Sequence, residues 1–114
     1  MRRDLLVLDQ MITADARATA ICRQNSLADL EERQDACEAL LWNMTVLGEA
    51  ATQLSPDLRE AHSEIPWRNA IALRNRIVHG YWSVDIQIIH TAAIQDLPEF
   101  QDQLVSLLAD LETP

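Results

Sequence analysis

The sequence predicts an all-α fold: a small antiparallel bundle of four to five helices in one domain spanning residues 1–114. Three observations carry this expectation. Apolar residues recur at steps of three and four along most of the chain, which is the period of one helix face. Glycine occurs twice and proline four times, while Ala, Leu, Gln and Glu are plentiful, so intrinsic preference runs toward helix. The interruptions carry helix-capping residues and are short, which favours antiparallel neighbours.

The first helix is expected over residues 3 to about 23, with Leu5, Leu8, Ile12 and Ala16 at helical spacing. Ser26 followed by Asp29 fits a capping box and starts a second helix. Its latter half carries the cleanest stripe: Cys37, Leu40, Leu41, Met44, Leu47, Gly48, Ala51 and Leu54. Gly48, Ala50 and Ala51 are small enough to let another backbone approach. Ser55 with Pro56 restarts the helix for a turn or two. Pro66 opens the next helix, which ends around His79 with Gly80 as a left-handed terminator. Ser83 or Asp85 caps a last helix, whose stripe runs from Ile86 through Ile89, Ala93, Leu97, Phe100 and Leu104 to Leu111. Pro98 interrupts that stripe and is expected to kink or briefly break the helix.

With 114 residues and 48% apolar content, the chain can bury one core and is too apolar for a disordered protein. No run of 18 apolar residues occurs, so no membrane span is expected and a cytoplasmic location is the default. Cys22 and Cys37 make no disulfide scaffold and have no companions at ligand spacing, so neither a metal nor a cofactor is expected. His62 and His90 read as structural or solvated. Trp42, Trp67 and Trp82 read as core or interface fillers before base-stacking platforms.

A net charge of −9 argues against a general nucleic-acid binder. Its distribution is uneven, however. Arg59, Arg68, Arg74 and Arg76 precede His79 with only Glu60 and Glu64 between them, whereas six acids and no arginine follow Gly80. Any anion would be handled in that central window. On the helix from Pro66, Trp67, Ile71, Arg74 and Val78 fall on one line, so Arg74 interrupts an apolar stripe and needs a partner. Glu49, beside the small residues of the second helix, is the candidate. Arg68, Ala72, Asn75 and His79 form a second line, while Arg76 points elsewhere. His79 also lies in the last turn, where the helix dipole favours a cation.

The segment IPWRNAIALRNRIVHGYW resembles the HEPN superfamily, and specifically the HepT-like toxins of HepT/MntA toxin-antitoxin systems. The family pattern of arginine, four residues, histidine, one residue and tyrosine is met by Arg74, His79 and Tyr81, with a polar Asn75 after the arginine. GEAATQLSPDLREAHSEIPW and DLPEFQDQL are similar too, so the resemblance extends from about residue 37 onward. It implies a metal-independent endoribonuclease acting as a homodimer, with no cofactor and an RNA substrate. His79 would be the acid/base, Arg74 the transition-state stabiliser, Asn75 an orienting group, and Arg68, Arg76 and Glu49 supporting residues. It also implies an MntA-like nucleotidyltransferase antitoxin that adenylylates Tyr81. The alternative is a non-catalytic helical subunit that binds nucleotide or a nucleotidyltransferase partner.

Overall fold

The structure, a computed structural model, describes residues 2–80 and 83–113. Six α-helices make up the described residues: α1 (Arg2–Gln24), α2 (Leu27–Glu32), α3 (Gln34–Gln53), α4 (Pro56–Ala61), α5 (Trp67–His79) and α6 (Ile86–Glu112). Four are long and two are single six-residue segments. The all-α bundle expected from periodicity is therefore present, with one more segment than anticipated. The extra segment arises because the second helix breaks at Arg33, whose extended backbone ends α2 and precedes α3. The break falls in the polar stretch from Glu31 to Asp35, which carries no glycine or proline to mark a helix end.

Local chemistry accounts for the ends. The Ser26 hydroxyl accepts from the Asp29 amide at 3.1 Å and the Asp29 carboxylate accepts from the Ser26 amide at 2.9 Å, completing the capping box. Ser55 caps α4, accepting from the Leu58 amide, with Pro56 at the first helical position. Asp85, not Ser83, caps α6 through the Gln87 amide. Gly80 ends α5 with φ −114, so it is not the left-handed terminator expected; its amide simply closes on the Arg76 carbonyl. Pro98 does not break α6. The carbonyl that loses its partner there belongs to Ile94, itself solvent-exposed, so water can satisfy it.

α3 is the central element and runs antiparallel to both α1 and α5. The α1 start is tied to the α3 end by Arg3 donating to Gln53 at 2.7 Å. Buried Asp4 accepts from the Ser55 amide at 3.0 Å and from its hydroxyl at 2.8 Å, so one carboxylate locks α1 onto the α4 cap. Leu8, Met11, Leu40, Met44, Leu47, Ile89, Leu97, Phe100 and Leu104 fill the core between α1, α3 and α6. The α6 stripe is buried as its spacing predicts. In α1 the buried line is Val7, Leu8, Met11, Ala14 and Ala18, whereas Ala16 is exposed; the true stripe lies to one side of the expected one. Trp67 holds the start of α5 by an edge-on contact with Phe100, ring centroids 6.2 Å apart, and by donating its indole N–H to the His62 carbonyl at 3.0 Å.

Asp15 is the exception within the core. It is 1% exposed on the α1 face toward α6 and accepts from Thr19 at 3.4 Å, while its Oδ2 has no partner. With its amide nitrogen turned inward, as its acceptor-only surroundings require, Gln101 donates to Asp15 Oδ1 and to the Ile12 carbonyl, each at 3.2 Å. Burial, opposed by the Thr19 bond and reinforced by nearby Asp102, pushes the Asp15 carboxyl from 3.8 up to about 7. The native state thus holds a proton that the unfolded chain releases. Stability from this group is fullest below about pH 4 and falls as pH rises toward 7. Asp15→Asn should raise the melting temperature at pH 8 relative to wild type and lose most of that advantage at pH 4, measured by thermal denaturation at the two pH values.

Candidate active site

The site is built at the crossing of α3 and α5. Gly48 sits where α5 passes closest: a Cβ added there would overlap the Cβ of Arg74 and come within 2.5 Å of the Ala70 carbonyl oxygen. Glycine is required here for backbone approach rather than for an unusual dihedral. The small-residue run on α3 is therefore what its composition suggested, a seat for another helix, and the helix is α5.

That approach fixes Arg74. Its Nη2 lies 3.0 Å from Glu49 Oε2, the partner expected from sequence, and its Nη1 donates to Asn75 Oδ1 at 2.8 Å. The side chain is 28% exposed, and its Nε is buried without a partner. A guanidinium held by a carboxylate on one side and an amide oxygen on another keeps further N–H donors for an incoming anion. The Asn75 side chain is therefore turned toward the arginine.

His79 is exposed in the last turn of α5 with Arg76, and Asn75 and, at the start of the helix, Arg68 are exposed as well. His79 lies five positions beyond Arg74, which on a regular helix places them about 140° apart around the axis and about 7.5 Å apart along it. One chain therefore presents the two groups toward different directions. Arg68 belongs to a groove toward α4 with Arg59, Glu60 and Trp67, so it is not gathered beside Arg74 within a single chain. Tyr81, expected as the modification site, and Trp82 lie outside the described residues.

The other sequence candidates separate clearly. His62 is paired with Glu64 at 3.7 Å in the loop before α5, and His90 is half-buried on α6. Burial raises the thiols of both half-buried cysteines, Cys22 and Cys37, in keeping with inert packing roles. Among the described residues no group of His, Cys, Asp or Glu is arranged to hold a metal, and no helix is long and apolar enough to cross a membrane. Trp67 fills the core, whereas Trp42 is 67% exposed on α3 and available to an interface. The signal that separates them is the apolar stripe, which includes Trp67 on α5 and passes Trp42 to one side on α3.

The chain as a whole has relatives among known proteins. The profile of the family described as "HepT-like: Ribonuclease HepT-like" matches residues 11–107. The chain belongs to this family. Its relatives include a "Probable ribonuclease HepT" of Thermococcus cleftensis, 28% identical over 87 residues, 76% of each chain. A "Putative RNase" of Caldanaerobacter subterraneus subsp. tengcongensis is 30% identical over 70 residues, 61% of this chain and 62% of the relative. Another "Putative RNase", from Methanocaldococcus jannaschii, is 28% identical over 74 residues, 65% of this chain and 64% of its own. The chain thus spans 62%, 64% and 76% of the length of these three relatives. No solved structure matches it.

Helix-interior glycine ordinarily costs about 1 kcal/mol relative to alanine, so an open site would gain from Gly48→Ala. Here the added methyl meets the Ala70 backbone, which cannot yield without moving α5. Gly48→Ala should destabilise the protein by about 1–3 kcal/mol in urea denaturation; a stabilised variant would show that the crossing is looser than described.

Proposed function

We propose that the protein is a metal-independent endoribonuclease, the toxin of a toxin-antitoxin pair, with catalytic sites completed across a homodimer. The observation that carries this reading is the state of Arg74: anchored to α3 by Glu49, steadied by Asn75, and still partly open to solvent, with His79 exposed on another side of the same helix. Membership of the HepT-like ribonuclease family supports the reaction class. The motif spacing of Arg74, His79 and Tyr81 supports the assignment of roles.

The chemistry requires the ribose 2′-oxygen to attack the adjacent phosphorus while the bond to the 5′-oxygen of the next nucleotide breaks. A proton leaves the 2′-hydroxyl and another reaches the departing 5′-oxygen; an imidazole near neutrality serves for either transfer. The phosphorane's added negative charge falls to a forked guanidinium, whose donors match two phosphate oxygens at once. Glu49 has a positioning role: it holds the Arg74 head against α3 so that its orientation is fixed before substrate arrives. Asn75 does the same from the next position on α5. The divergence of Arg74 and His79 around α5 is the reason for invoking two copies, since a second chain can bring its histidine toward the first chain's arginine across a two-fold axis.

Regulation in this reading falls on Tyr81, two residues beyond His79. A nucleotidyltransferase antitoxin would transfer AMP from ATP to the tyrosyl oxygen and release pyrophosphate. The added phosphodiester places negative charge and bulk beside the imidazole, repelling RNA phosphate.

Expressed without the antitoxin, wild type should cleave RNA and inhibit growth. His79→Ala should lower cleavage by at least about a hundredfold with unchanged circular dichroism; full activity in this variant would overturn the assignment. Co-expression with the partner nucleotidyltransferase should add adenylyl mass to the peptide containing Tyr81 and abolish cleavage, read by mass spectrometry. A silenced protein with unmodified Tyr81 would contradict the regulatory step.

A further inference from the structure

Beyond Arg74 the α3–α5 seam opens into a cleft of about 540 Å³ lined by Glu38, Leu41, Trp42 and Thr45 from α3 and by Ile77 and Val78 from α5. Trp42 is 67% and Val78 45% exposed, the two largest apolar exposures on these two helices. The Thr45 hydroxyl is committed to the Leu41 carbonyl at 2.7 Å, and Ile77 is buried beneath. The cleft therefore offers an aromatic face and aliphatic surface, with few polar demands of its own. Its volume suits a small planar group.

Its position relates it to the motif. Val78 lies one turn beyond Arg74 on nearly the same line of α5, between Arg74 and the exposed Asn75 and His79 face. Trp42 lies two turns from Glu49 on the same line of α3. A strand whose phosphate rests on Arg74 would thus pass the mouth of this cleft. We infer that the cleft is a nucleobase subsite, with Trp42 as the stacking platform for a base flanking the scissile phosphate. Glu38, held by Gln34 at 2.8 Å on the cleft's far end, presents carboxylate oxygens that favour a base edge bearing N–H donors.

A second copy of the chain is the other candidate occupant, and the surface suits it less well. A stable interface takes roughly 800 Å² per partner with an apolar centre. Here only Trp42 and Val78 are both large and exposed, and Glu38 and Glu49 flank them on α3. A self-complementary contact over this patch would bring those carboxylates toward one another.

The inference rests on the ribonuclease reading for its choice of ligand, so binding and cleavage are measured separately. Binding is followed with a single-stranded oligonucleotide of mixed sequence, 2′-deoxy throughout and hence uncleavable; cleavage with the matching RNA; assembly by sedimentation. Trp42→Ala should weaken oligonucleotide binding and raise KM by about tenfold, with kcat within about twofold and assembly unchanged. Trp42→Phe should restore most of the affinity. Unchanged affinity in Trp42→Ala overturns the subsite, as does an assembly that falls apart in that variant, which would give the cleft to a second copy. Trp42-dependent binding by a wild type that cleaves nothing would retain the subsite and remove the nuclease reading. Failure of wild type to bind the oligonucleotide would remove the subsite.

Discussion

The close approach of α3 and α5 at Gly48 is the constraint from which the rest of the site follows. Because no side chain separates the two helices there, α5 lies near enough for a residue on its buried stripe to reach a carboxylate on α3. An arginine at that position would otherwise bring a charge into apolar packing at a cost of several kcal/mol. Glu49 offsets that cost, and the partial exposure of the pair keeps the guanidinium usable. Stability and chemistry are thus joined in one contact: the interaction that makes Arg74 tolerable also aims it.

Helix geometry then separates the two groups the reaction needs. Residues five apart cannot share a face, and the structure puts Arg74 on the seam and His79 on the open side. An enzyme built in one chain would more naturally place them three or four residues apart. The spacing is intelligible if the two groups meet across a symmetry axis, because a second α5 approaching with reversed direction can offer its histidine where the first lacks one.

Much of this was legible in the sequence because it rests on spacing. The α6 stripe, the Ser26 capping box, the Ser55–Pro56 start and the Arg74–Glu49 pair all follow from which residues stand three, four or seven apart. What spacing could not supply depended on the third dimension. The break at Arg33 lies in a polar stretch without glycine or proline, so a reading by helix-breaking residues runs straight through it. Pro98 costs α6 no continuity because Ile94 is exposed, a fact of packing. Gly80 ends α5 without a positive φ, although composition alone favoured one. Asp15 and Asp4 look alike as acids in α1, yet one is bound by Ser55 and the other is left partly unsatisfied.

The central claim is that arginine and histidine act together from different chains, and mixed dimers test it most directly. Arg74→Ala and His79→Ala proteins, each inactive alone, are refolded together and assayed for RNA cleavage. A composite site predicts recovery of about a quarter of wild-type activity, since half the dimers are mixed and each mixed dimer holds one intact site. No recovery in verified mixed dimers would place both groups in one chain's own site and contradict the account.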